Sequence, residues 1–282
     1  MLFLLPLMLM QSSPYASALP REIVEKKEDE ARKRRTESQQ FAGPLPLRPE
    51  NGCLLAVESD PEHSAEVARK ALASAQGREK VRAGLCLGVA LADLDRWGEA
   101  RMAFTQARDT ADPSDHLSRA RLGAMAGNAA LADGKAGDAL MLLGPAASEA
   151  KAASDGALGA SIALDRARAL VSLGQNGEAA TALADARTAD SSNAQAWLLS
   201  ATLSRRQKNL IEAQTQIEKA AQLAPQDPEV GLEAGVIAIL GGRDEAARRS
   251  WNSVLSTSPD SPAAVTAKDY LAQLGPEGAP KP

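Results

Sequence analysis

Few side chains in this 282-residue sequence are of types that do chemistry on their own, and their spacing narrows what they could do. The two cysteines, Cys53 and Cys86, stand 33 residues apart and lack nearby histidines to complete a zinc site. They could pair as a disulfide in an oxidising compartment, or be two small buried hydrophobes. His63 and His116 are the only histidines. Each falls in or beside a loop or helix start, and no Ser, Cys or acid is placed in sequence to suggest a triad. Glycine-rich phosphate loops, G-x-S-x-G elbows and H-E-x-x-H pairs are absent from the sequence. Asp93 and Asp95 fall at a helix end and turn, where solvated carboxylates are common. These observations point away from an enzyme, and no cofactor, metal or small-molecule substrate is expected.

The elements that must position such residues show in the composition. Aromatics make up only 3% of the chain although hydrophobic content is 44%, and most of the apolar residues are Ala, Leu and Val. Small side chains suit thin layers of closely approaching helices better than one thick globular core. A formal charge of −4 and a pI near 5.4 argue against a nucleic-acid partner, which needs a basic surface.

The first eighteen residues, "MLFLLPLMLMQSSPYASA", carry no charge and contain an apolar run about ten long, too short to span a bilayer. The small-x-small pattern Ala16-Ser17-Ala18 predicts a signal peptide over 1–18, cut after Ala18, although no Lys or Arg precedes the run. No cysteine follows closely enough to take a lipid anchor. The expectation is an exported bacterial protein, periplasmic or secreted, with no membrane span once the leader is removed. Residues 19–51 combine a densely charged arm, including Arg32, Lys33, Arg34 and Arg35, with the Pro/Gly linker "FAGPLPLRPENG", and read as flexible. A folded region is expected over 52–275, followed by a loose tail at 276–282.

Within the folded region one pattern recurs. Ala100, Phe104 and Ala107 follow the spacing small-x3-large-x2-small. It returns at Ala139, Leu143, Ala146; at Ala179, Leu183, Ala186; at Ala213, Ile217, Ala220; and at Ala247, Trp251, Val254. Five residues before each first alanine stands a turn-compatible residue: Asp95, Gly134, Gly174, Lys208 or Gly242. Twelve before it stands a small one: Gly88, Gly127, Ala167, Ala201 or Gly235. The units are 39, 40, 34 and 34 residues apart. Together these markers describe a helix, a tight left-handed turn and a second helix, five times over.

The pattern resembles the tetratricopeptide (TPR) family, with "AWLLSATLSRRQKNLIEAQTQIEKAAQLAP" (196–225) the fullest match. That unit departs from the family at Ser204, where an aromatic is usual, and at Lys208, where glycine is usual. The resemblance implies an all-α fold: a right-handed α-solenoid of about five TPR hairpins plus degenerate terminal helices. Residues 53–76 would form a weak leading hairpin whose second helix starts at Asp60-Pro61, and 261–275 a closing helix. Cys53 and Cys86 would then lie on neighbouring first helices, where a bond would staple the leading hairpin to the first full repeat. Trp97, Trp197 and Trp251 are all expected in buried slots.

The resemblance further implies that first helices line a concave groove receiving a protein or peptide partner. In that register the groove-facing candidates are Arg82, Arg121, Asn128, Arg168, Arg205 and Arg206, opposed by Asp93 and Glu229. They form either a mildly basic groove, suited to acidic side chains or a terminal carboxylate, or a set of solvated arginines. The Lys/Asn carboxylate clamp of some family members is missing, its slots holding residues such as Leu198 and Thr202. The function these features imply is a non-catalytic protein-protein interaction scaffold in the bacterial periplasm or cell envelope. The alternative is an assembly factor for an envelope machine (outer-membrane, secretion or cytochrome c maturation system).

Overall fold

Alanine-rich segments with an apolar face only a few residues wide cannot bury themselves alone, and here they do so by stacking as hairpins. A computed structural model describes residues 60–274, which belong to one compact unit. The expected signal peptide (1–18), arm and linker (19–51), tail (276–282) and Cys53 lie outside the described residues.

Twelve α-helices follow one another among the described residues: α1 (Pro61–Ser74), α2 (Gly77–Asp93), α3 (Trp97–Thr110), α4 (His116–Ala132), α5 (Ala136–Ala152), α6 (Gly156–Ser172), α7 (Asn176–Ala189), α8 (Ala194–Arg206), α9 (Leu210–Leu223), α10 (Pro228–Leu240), α11 (Asp244–Thr257) and α12 (Pro262–Leu274). The pairs α2/α3 through α10/α11 are the five expected hairpins. α1 leads them, beginning at Asp60-Pro61, and α12 closes the stack.

Each hairpin turn is made the same way. The five turn residues, Asp95, Gly134, Gly174, Lys208 and Gly242, all adopt positive φ, between 57° and 74°. The residue after each donates its N–H back across the turn, as from Arg96 to the Leu91 carbonyl at 2.8 Å and from Asn209 to the Ser204 carbonyl at 2.9 Å. This bond satisfies a carbonyl that the helix end leaves free. Four of the five first helices start on side-chain caps, Asp115, Asp155, Asn193 and Asp227 each accepting from a backbone N–H of the following turn, while α2 starts at Gln76 without one.

The small residue before each turn receives the large one after it. A methyl group on Gly88 would stand 2.4 Å from the Phe104 ring, on Gly127 2.5 Å from Leu143, and on Gly235 2.0 Å from the Trp251 indole nitrogen. Phe104, Leu143, Leu183, Ile217 and Trp251 are all buried, so each hairpin closes on its own large residue. The longer spacings of the first units arise because α4 and α6 run 17 residues against 13 for α8 and α10. α5 is also long, at 17 residues against 14 for the other second helices of the five hairpins. It passes directly into α6 through a further left-handed turn at Ser154 (φ 55°).

Two of the three tryptophans depart from the expected burial. Trp251 is 2% exposed, but Trp97 and Trp197 are only half-buried. Trp97 opens α3 at the hairpin tip, where the other units hold Ala136, Asn176, Leu210 and Asp244, so its slot is not a shared core position. Trp197 occupies a slot filled elsewhere by Gly84, Gly123, Ala163 and Gly231. At Gly84 and Gly123 an added methyl would already press on Ala107 and Ala146, at 2.8 and 2.9 Å. An indole does not fit so close an approach. Trp197 lies instead toward the rim, donating to the Ser191 carbonyl at 3.0 Å, with the Arg187 guanidinium 5.0 Å from its ring centre.

Ser204, the other departure in that unit, is buried and donates to Gln216 Oε1 at 2.9 Å. A satisfied polar pair thus replaces the usual aromatic between α8 and α9.

Candidate functional site

First helices of successive hairpins meet directly, α4 with α6, α8 with α10, and α10 with α12, in addition to each helix's contact with the next along the chain. Their shared face carries the anticipated arginines, and the structure sorts these into three kinds.

Arg82 on α2 is exposed and Arg121 on α4 is half-buried; neither makes an ion pair with a described residue. Arg205 on α8 is turned sideways into a forked pair with Glu233 of α10, Nε to Oε1 at 2.6 Å and Nη2 to Oε2 at 3.2 Å. Both side chains are largely shielded, so Arg205 ties two hairpins together and is not the open groove cation expected from the sequence.

Asn128 and Arg168 form the third kind, meeting at a residue that the sequence did not single out. Asp165 is 5% exposed, accepts from Arg168 Nη1 at 2.5 Å and takes a further hydrogen bond from the Asn128 side chain. Burial pushes its carboxyl above the ordinary carboxylate range, and the Arg168 charge and the bonds from Arg168 and Asn128 only partly offset this. Asn128 and Arg168 hold equivalent slots in α4 and α6, so this carboxylate joins two repeats at matching positions. An i, i+3 acid–base pair is visible in the string "DRAR", but its burial depends on the neighbouring hairpin.

Beyond Arg168 the face opens into a pocket of 290 Å³ between α6 and α8. Val171, Leu183, Leu199 and Leu203 supply apolar wall, and Arg168 and Arg206 stand at its edge. No carboxylate lines it. Arg206 is exposed and makes no ion pair with a described residue.

A second hollow, of 570 Å³, lies between the second helices α3 and α5, with Met102 60% and Met141 71% exposed. Its charges are matched internally, Arg101 with Asp138 at 2.7 Å and Asp109 with Arg108 at 2.7 Å. His116, at the first residue of α4, contacts Glu149 Oε2 at 2.7 Å, and Arg119 contacts Oε1 at 2.7 Å. This cluster joins α4 to α5, and the hydrogen bonds from Arg119 first and His116 second hold the Glu149 carboxyl below its usual range. His63 lies in the first turn of α1, its backbone N–H donating to the Asp60 cap. Cys86, half-buried on α2, is not a free thiol. Among the described residues no cluster of three metal-ligating side chains occurs, and no helix is long and apolar enough to cross a membrane.

This geometry, with its repeated turns and small-on-large seats, is that of a tetratricopeptide-repeat solenoid. Solved structures with the same fold include YrrB, described as a TPR protein with an unusual peptide-binding site (20% identity, 73% of this chain and 99% of that one, TM-score 0.51). They also include PilW, described as a widely conserved type IV pilus biogenesis factor (16% identity, 75% and 92%, TM-score 0.59). A third is BtubC from P. vanneervenii (14% identity, 82% and 96%, TM-score 0.58). No protein-family model and no curated protein matches the sequence.

Proposed function

We propose that this chain is a non-catalytic interaction scaffold that holds a protein or peptide partner against the face lined by its first helices. The observation that carries this reading is the pocket between α6 and α8, lined by apolar side chains and two arginines and by no carboxylate; Asp165, which bonds one edge of Arg168, is buried outside the lining. A groove of that kind is completed by a partner that supplies apolar and acidic groups. The clustered ionisable side chains, by contrast, join helices to one another, as His116, Arg119 and Glu149 do.

The apolar leader and its Ala-x-Ala site support export to the periplasm or cell envelope of a bacterium. Within that setting the narrower reading is an assembly factor for an envelope machine, a role consistent with sharing a fold with a pilus biogenesis factor.

Site-specific photo-crosslinking tests the groove. A photoreactive residue at Thr202, on the α6/α8 pocket, should capture partner in the native cell, whereas one at Ile211, 85% exposed on α9, should not. Equal capture at both positions would overturn the groove reading. Retention of the full-length chain in the cytoplasmic fraction, with its leader uncut, would overturn the envelope assignment.

A further inference from the structure

We infer that the α6/α8 pocket is where the groove combines charge with apolar selectivity, taking one bulky apolar side chain flanked by a carboxylate from an acidic peptide segment. This rests on the groove reading above and makes it specific. Three observations carry it.

The first is where uncompensated positive charge remains. Arg205 is spent on Glu233, and one edge of Arg168 on Asp165. Arg206, like Arg82 and Arg121, makes no ion pair with a described residue, but it lines the same hollow as the apolar Val171, Leu199 and Leu203. A guanidinium free on its fork binds a carboxylate through two parallel bonds.

The second is how Arg168 is held. Its Nη1 bonds to the buried Asp165, while the side chain as a whole stays 50% exposed. A long cation anchored in this way presents its remaining donors with less rotamer freedom left to lose on binding.

The third is that no other unit repeats the arrangement. The slot of Arg168 holds Val89, Asn128, Thr202 and Val236 in the other first helices, and the slot of Arg206 holds Asp93, Ala132, Ser172 and Leu240. Among the five first helices, only α6 and α8 place arginine in these slots, Arg168 in the one and Arg206 in the other.

The test is selection of a random heptapeptide display library on the full chain. Enriched peptides are then synthesised and titrated by fluorescence anisotropy. The expected consensus is a large aliphatic or aromatic residue beside Asp or Glu. Exchanging the acid for Lys in the peptide, or making Arg206→Glu in the protein, should weaken binding about ten-fold or more. Replacing the peptide's apolar residue by Ala should do likewise. Arg206 is exposed, so its variant keeps the fold, checked by circular dichroism. Enriched peptides without an acid, or indifference to Arg206→Glu, would overturn this inference. The groove reading would survive that result if Thr202→Trp, which fills the pocket mouth, still abolished binding. Peptides that bind Thr202→Trp as well as wild type, or a selection that enriches none, would overturn both.

Discussion

Trp251 brings the Nε1 side of its indole against Gly235, so close that a methyl group there would stand 2.0 Å from the indole nitrogen. That nitrogen is already fixed by a 3.1 Å bond to the Leu232 carbonyl, which leaves the ring little room to retreat. Gly235→Ala is therefore expected to destabilise the chain by about 1–3 kcal/mol through overpacking. Gly159, also within a helix, has only the Ala189 methyl nearby, at 3.8 Å. Gly159→Ala should stabilise by about 0.5–1 kcal/mol through helix propensity. Urea denaturation of the two variants should move in opposite directions; a shared direction would contradict the packing described.

Lys208 holds the left-handed turn conformation (φ 64°) that glycine supplies in three of the other four hairpins. Lys208→Gly should raise stability by about 1 kcal/mol, the cost of placing a Cβ in that region. A thermal midpoint that falls would mean the lysine side chain contributes more than its backbone costs.

Asp165 and Glu149 should give opposite pH signatures. Burial raises the Asp165 carboxyl, so the folded chain holds that proton more tightly than the unfolded chain. Its contribution is greatest at low pH and is lost as pH rises through the folded value. Asp165→Asn should flatten that slope and leave stability at pH 7 no lower than wild type. The Glu149 carboxyl is lowered by Arg119 and His116, so its contribution is present at neutral pH and lost as pH falls through the folded value. Glu149→Gln should be less stable than wild type at pH 7, with the gap closing in acid. Parallel curves for all three proteins across pH 3–7 would refute both assignments.

Acrylamide quenching of single-tryptophan variants should rank Trp251 as the most protected, with Trp97 and Trp197 both reached. Protection of Trp197 equal to that of Trp251 would contradict its rim position.

Cys86 is expected to pair with Cys53. The intact mass should then rise by two hydrogens on reduction, with a loss of about 2–4 kcal/mol for a loop of 33 residues. A mass unchanged by reductant would exclude the bond.

The repeat was readable from sequence because it is written in residues whose reasons are local. A turn needs a residue tolerant of positive φ, and a close helix approach needs a small one. All five turn positions and all five large-on-small seats follow from those two rules. The site was less legible because its electrostatics belong to pairs across repeats. Arg205 and Glu233 are 28 residues apart, and nothing in either neighbourhood announces the other. Asp165 beside Arg168 reads as an ordinary exposed helical pair until α4 brings Asn128 against it. Trp197 misled because an aromatic looks like core wherever it falls, while the slot around it was sized by the glycines of other units.

The joint at Ser154 gives the stack uneven slack. Between α5 and α6 only residues 153–155 intervene, folded into the same closed turn that caps the hairpins, whereas 111–115 and 190–193 connect α3 to α4 and α7 to α8. Under a stretching load the longer linkers have more chain to pay out once their local bonds open, such as Asp115 N–H to the Asp112 carbonyl and Asn193 N–H to the Asp190 carbonyl, while the short one transmits force sooner. Repeats two and three would then behave as one stiff link in a chain of looser ones, with the α6/α8 pocket sitting across the first hinge beyond it.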